Sequence, residues 1–278
     1  MQLLDGKTTS QKLLASLKQE LGYDNSHPNL DIILVGDDQA SLKYCQLKQQ
    51  VAESIGIGGT LHQFPSSVSI DDLISTIDDL NSNPDVTGFF IQLPLPPHFN
   101  TNLILNSIDP KKDVDGLTAA NLGRLFQNDQ TAIVSATPLG IIKLLAEYNI
   151  DLDGKNAVII GRSPYIGLPL VALLEHRHAT VTLCHSHTNN LAEICSRADI
   201  LISAISRSKF ITPKFIKNGS VVVDIGSNYD QKGKLTGDVD FDNVKTKVSF
   251  ITPVPGGVGP MTIASLLFNL VTIWRNIK

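Results

Sequence analysis

Two hydrophobic patterns alternate along the first part of the chain. The segment 8–21 opens on Thr and Ser, both good helix caps, and stops at Gly22, which predicts a helix. Leu30-Asp31-Ile32-Ile33-Leu34-Val35 is a short apolar run closed by Gly36, as expected of a buried strand. Helical spacing over 40–55 and 70–80 then alternates with strand-like runs over 60–64 and 86–92. This order predicts an α/β layer around a mostly parallel sheet.

A second series opens at Thr137-Pro138, with Pro placed for the first turn of a helix that runs to about Tyr148. Strands are predicted over 157–160, 180–184, 200–203 and 221–225, separated by helix-like stretches. The boundary between the two series falls between Asp115 and Thr137. Near the end, the apolar run Val248-Ser249-Phe250-Ile251 leads into Thr252-Pro253-Val254-Pro255-Gly256-Gly257-Val258-Gly259-Pro260-Met261-Thr262. Proline fixes φ and glycine permits close backbone approach, so these residues predict a rigid loop feeding a closing helix. Pro and Gly are also common turn residues, and the loop by itself is equally a plain strand-to-helix connection.

Composition narrows the class. A chain of 278 residues suits two domains, and 42% hydrophobic residues are enough to bury a core in each. The net charge of −4 argues against a nucleic-acid partner. No uninterrupted run of about 20 apolar residues points to a membrane span, and the N-terminal stretch lacks a secretory pattern. Cys45, Cys184 and Cys195 are odd in number and show no CxxC spacing, so reduced thiols in a cytoplasmic compartment are expected, with no metal site.

Candidate chemistry lies in both halves. The predicted strand at 157–160 runs into Gly161-Arg162-Ser163-Pro164-Tyr165-Ile166-Gly167 and then an apolar helix, an arrangement suited to a pyrophosphate. The spacing departs from GxGxxG, so the loop alone is also readable as a structural turn. The next strand ends in Cys184-His185-Ser186-His187-Thr188, without the carboxylate that holds a ribose 2′-hydroxyl. Arg162 and Ser186 can meet a 2′-phosphate instead, which favours NADP. In the first half, Tyr44 and Lys48 share a helix face, although a lone helix lysine is ordinarily solvated. Gln92-Leu93-Pro94-Leu95-Pro96 stands at a strand end, where α/β sheets place ligand contacts. Lys112-Asp113-Val114-Asp115-Gly116 carries two carboxylates and a turn glycine. It is equally readable as a solvated turn, and it lacks the further ligands a metal would need.

Taken in order with Asp5-Gly6-Lys7, these motifs resemble the methylenetetrahydrofolate dehydrogenase/methenyltetrahydrofolate cyclohydrolase family over nearly the whole chain. The resemblance implies an N-terminal α/β/α substrate domain over 1–118, completed by the 262–278 helix, and a Rossmann-like NADP-binding domain over 119–261. It implies NADP-dependent oxidation of 5,10-methylenetetrahydrofolate and hydrolysis of the methenyl product to 10-formyltetrahydrofolate, in a cytoplasmic homodimer that supports purine biosynthesis. Carried onto this chain, Lys48 would assist attack of water on the methenyl carbon, and Gln92 would hydrogen-bond Lys48. Tyr44 would stack on the folate and Asp115 would hydrogen-bond the pterin. Pro255, Gly256, Gly257 and Thr262 would line the folate side. Gly161, Arg162, Ser163, Ser186 and Ser227 would hold the cofactor.

Two departures from the family pattern bear on the nucleotide. Ser206 and Ser208 stand where the family has Gly and Pro, and Ser227 replaces an apolar residue. They motivate an alternative, a monofunctional cyclohydrolase with weakened dehydrogenase activity. A dehydrogenase of small hydroxy or amino acids would not need the Gln92 and Asp113–Asp115 motifs. A non-catalytic folate binder would not need Lys48.

Overall fold

The structure, a computed structural model, describes residues 1–22, 27–230 and 233–277. Lys278, the end of the expected closing segment, lies outside the described residues. Two compact units form: Met1–Gln11 with Thr137–Thr262, and Lys12–Ala136 with Ile263–Lys278. The chain passes from one to the other within the helices Gly6–Leu21, Ala136–Glu147 and Val258–Ile277.

The unit containing Lys12–Ala136 is built on a parallel sheet, ordered Leu61–Phe64, Leu30–Val35, Gly88–Ile91. Every residue of the central strand is buried, including Asp31. Its carboxylate accepts from Thr60 N at 3.1 Å and lies 2.7 Å from His62 Nε2, so the buried acid is partnered by the neighbouring strand. Helices Gln39–Ser54 and Ile70–Ser82 are N-capped by Asp38 and Ser69. The sequence missed two short helices, Thr101–Leu105 and Ala119–Phe126, capped by Asn100 and Thr118. Neither is long enough for the apolar period to declare itself.

The closing helix is part of this unit's core. Leu266, Leu270 and Trp274 pack with Leu30, Ile32, Leu34 and Phe90. Buried Asn269 donates to Val114 O at 2.9 Å and Val134 O at 2.8 Å, tying the helix to the segment that carries Asp115. By length and composition Val258–Ile277 is apolar enough to cross a membrane, but most of it is buried inside the fold. The helix starts at Val258, earlier than the loop reading implied, and Pro260 falls in its first turn. An N–H there has no intrahelical acceptor, so proline costs little at that place.

The other unit carries a parallel sheet ordered Gln2–Leu3, Phe250–Ile251, Val221–Asp224, Ile200–Ser203, Asn156–Ile160, Thr180–Cys184. From Asn156–Ile160 the chain goes first to one side of the sheet and then to the other. That reversal opens a crevice at the carboxyl ends of the strands. A core of Val158, Ile160, Leu201, Val222 and Ile251 backs the sheet. The doubly wound order is the Rossmann-like arrangement expected for the second half.

Candidate active site

Lys48 is 4% exposed, although its helix is otherwise largely polar. Its Nζ donates to Gln92 Oε1 at 3.2 Å and sits 4.0 Å from the Phe90 ring centre and 4.8 Å from that of Tyr44. The four-residue spacing from Tyr44 puts ring and amine on one helix face. Phe90 and Gln92 come from the end of the strand Gly88–Ile91 and the residue beyond it. Gln92 N donates to Ile33 O at 2.8 Å, and Gln92 Nε2 donates to Leu93 O at 2.7 Å. With the amide nitrogen committed, the oxygen faces Lys48, where it also accepts from Cys45 Sγ at 3.8 Å.

Burial pulls the Lys48 ammonium below the ordinary lysine range, against Asp115 and Cys45, which favour the charged form. Burial likewise raises the Asp115 carboxyl, opposed by Lys48 and reinforced by Asp113. Burial and then the Asp115 charge raise the Tyr44 phenol. Burial thus acts on both groups first, and the amine and the carboxyl each favour the other's charged form.

The two aspartates of the turn have separate roles. Asp113 is buried and accepts from Gly116 N, Leu117 N, Thr118 N and Asn121 Nδ2, so it holds the turn and is no solvated loop acid. Asp115 is half-buried, and its carboxylate has no hydrogen-bond partner among the described residues. Gly116 has φ +68°, and a Cβ there would lie 2.6 Å from Ile133 O, so this corner requires glycine. Asn121 and Asn269 were missed by sequence reasoning, since a buried asparagine leaves no periodic signature.

The nucleotide candidates lie at the carboxyl edge of the other unit's sheet. Gly161 N donates to Cys184 O at 2.9 Å, and Ala204 N donates to Ile160 O at 2.9 Å, drawing three strand ends together. Gly161 has φ +119°, and a Cβ on it would stand 2.4 Å from Ala204 O. A Cβ on Gly167 would stand 2.0 Å from Gly161 O. The helix Gly167–Glu175 has no side-chain cap, leaving its N-terminal dipole end open to an anion. Arg162, Ser186 and Ser227 are exposed at this edge, and Ser163 Oγ accepts from Tyr165 N at 3.2 Å. These residues fit a dinucleotide, and the strand-end turn His185 to Thr188 contributes no carboxylate.

Beneath that edge lies a network the sequence did not reveal. Asp238, fully buried, accepts from Ser203 Oγ, Ile205 N, Arg207 N and Asn228 Nδ2. Asp224 accepts from Gly226 N, Asp238 N and Val239 N, yet burial still pushes its carboxyl up to about 6. Ser206 has φ +52°. A left-handed serine costs about 1–2 kcal/mol, and hydrogen bonds to a carboxylate, at about 1.5–3 kcal/mol each, can offset it.

Pro255, Gly256, Gly257 and Thr262 belong to this same unit, where they meet the N-terminal motif. Lys7 N donates to Gly256 O at 3.0 Å, and a Cβ on Gly6 would lie 1.7 Å from Gly257 O. Thr262 Oγ1 lies 3.1 Å from Thr137 Oγ1.

Comparison with known proteins accords with both halves. Residues 4–115 match the catalytic domain of tetrahydrofolate dehydrogenase/cyclohydrolase, and residues 135–278 match its NAD(P)-binding domain. The chain belongs to the tetrahydrofolate dehydrogenase/cyclohydrolase family. The bifunctional protein FolD of Thermodesulfovibrio yellowstonii is 49% identical over 97% of this chain and 95% of that protein. The crystal structure of the bifunctional enzyme FolD from Campylobacter jejuni superimposes with a TM-score of 0.98 at 42% identity, covering all of both chains. The Trypanosoma brucei enzyme, solved with NADP and an inhibitor, gives 0.94 at 33% identity over 98% of this chain and 97% of that one. In this tetrahydrofolate dehydrogenase/cyclohydrolase, Tyr44, Lys48, Gln92 and Asp115 fall together in one unit. Gly161, Arg162, Ser163, Ser186 and Ser227 share a sheet edge in the other.

Proposed function

We propose that the chain oxidises 5,10-methylenetetrahydrofolate with NADP and hydrolyses the methenyl product to 10-formyltetrahydrofolate. The observation that carries this reading is the buried Lys48 amine, held by Gln92 between two aromatic rings and beside the unpartnered carboxylate of Asp115.

Oxidation leaves a cation on the substrate, and burial disfavours the ammonium form of Lys48, which lessens its repulsion of that cation. When water adds to the methenyl carbon, Lys48 Nζ takes the proton released and later returns it to the ring nitrogen that leaves. Gln92 Oε1 keeps Nζ at that carbon. Tyr44 stacks on the folate, and Asp115 accepts hydrogen bonds from the pterin. Pro255, Gly256, Gly257 and Thr262 are assigned to folate on motif resemblance. Gly161, Arg162, Ser163, Ser186 and Ser227 would hold NADP, which supplies the hydride acceptor when bound. The chain's own part in oxidation is placement.

The same reading assigns residues 1–118 with 262–278 to folate and 119–261 to NADP. It makes the protein a cytoplasmic homodimer serving purine biosynthesis, with neither nucleic acid nor membrane as partner. The glycine-like corner kept at Ser206 favours the bifunctional enzyme over a cyclohydrolase alone.

Arg162→Ala tests the cofactor assignment. Its preference for NADP over NAD, measured as a ratio of kcat/KM, should fall about tenfold or more with loss of a charge-assisted bond to the 2′-phosphate. An unchanged ratio would remove Arg162 from the site.

Asp115→Asn tests the coupling to Lys48. The Asp115 charge raises the Lys48 pKa, so its removal lowers that pKa further. The acid limb of the hydrolysis profile should move to lower pH, while KM for the folate rises. A limb that stays in place, or moves to higher pH, would contradict the coupling.

A further inference from the structure

Building on the NADP reading, we infer that Asp238 is a positioning residue for the nucleotide: its carboxylate clamps the corner at Ser206 into the shape that NADP binding requires. The corner follows the strand Ile200–Ser203 and adjoins Gly161, whose missing Cβ leaves room for Ala204 O. Ser206 occupies the left-handed region at φ +52°, a conformation in which glycine is at ease and serine is not.

Its two neighbours are both fixed to one carboxylate. Ile205 N donates to Asp238 Oδ2 at 2.9 Å, and Arg207 N donates to Asp238 Oδ1 at 2.8 Å. Each oxygen thus holds one flank of the strained residue. Ser203 Oγ at 3.0 Å and Asn228 Nδ2 at 3.1 Å complete the set of donors to this carboxylate. Asp238 is itself anchored, since its own N–H donates to Asp224 Oδ1 at 2.9 Å. Gly226 leaves the room this carboxylate occupies, since a Cβ there would come within 2.4 Å of Asp238 Oδ1.

The clamp has two chemical consequences. It explains how a serine stands in a corner suited to glycine without reshaping the turn. It also withdraws the N–H groups of Ile205 and Arg207 from any ligand, so those two donors are not available to NADP.

The test compares Asp238→Asn with the double variant Asp238→Asn/Ser206→Gly, using the full chain. An amide offers one acceptor oxygen and one N–H pair, so it cannot hold both flanks. Calorimetric titration with NADP should show Kd raised about tenfold or more in the single variant, the equivalent of one lost charge-assisted bond. Glycine needs no clamp, so the double variant should recover most of that affinity. Hydrolysis of methenyltetrahydrofolate without nucleotide should stay near wild type in both.

An unchanged Kd in Asp238→Asn would overturn the inference. So would equal loss in both variants, because a merely structural acid would not be rescued at Ser206. If the single variant is insoluble, a soluble, NADP-binding double variant supports the clamp and insolubility of both refutes it. Failure of the wild-type chain to bind NADP would instead refute the nucleotide reading on which the clamp rests.

Discussion

Lys48→Ala is expected to lower methenyltetrahydrofolate hydrolysis by about 10²–10⁴-fold, the usual contribution of a positioned acid–base group. NADP-dependent oxidation should persist, since that step places reactants and moves no proton through Nζ. Lys48→Met gives the same test with the site filled. It replaces a buried amine by an apolar chain of similar length, so its thermal midpoint should stay at or above that of the wild type. Loss of oxidation and hydrolysis in equal measure, in variants that remain folded, would contradict the assigned role. Gln92→Ala should resemble a weaker Lys48 variant, because it removes the acceptor at 3.2 Å and leaves the amine in place.

The second large effect is expected at Gly161. Valine there would have to adopt φ +119° and place Cβ 2.4 Å from Ala204 O, against backbone that cannot give way cheaply. NADP-dependent oxidation by Gly161→Val should fall about 100-fold or more, through a raised KM for NADP, as the turn moves off the helix N-terminus. Hydrolysis without nucleotide should survive, because Lys48, Gln92 and Asp115 belong to the other compact unit. A normal KM for NADP in this variant would place the cofactor elsewhere.

These two variants are expected to separate the activities because Lys48 and Gly161 lie in different compact units, and much of that arrangement is legible in the sequence. The strand at Leu30–Val35 announces itself by an apolar run, and Gly36 marks its end. Tyr44 and Lys48 fall on one helix face by spacing alone. What spacing cannot show is that the face turns inward: a lysine on a polar helix is ordinarily solvated, and only the folded chain brings Phe90 and Gln92 against Lys48 Nζ.

The two aspartates of the 112–116 turn look alike in sequence, yet Asp113 accepts four donors and the Asp115 carboxylate has no hydrogen-bond partner among the described residues. The network joining Asp224 to Asp238 is not legible, because its donors are mostly backbone N–H groups, many brought in from distant segments. No local pattern encodes such a network. Proline misled the reading of the last helix, which begins at Val258 with Pro260 inside its first turn. In the opposite direction, Ser206 stood out only as a departure from the family, and its left-handed corner gives that departure a physical meaning.

The most direct test of the central claim is to supply the purified protein with 5,10-methylenetetrahydrofolate and NADP, following NADPH and the methenyl compound together. The account predicts NADPH formation, a methenyl signal that rises and then decays faster than its spontaneous hydrolysis, and 10-formyltetrahydrofolate formed to match the NADPH. Methenyl consumption without any NADPH formation under these conditions would contradict the dehydrogenase half. NADPH formation with methenyl that decays only at the spontaneous rate would contradict the role given to Lys48 and its partners.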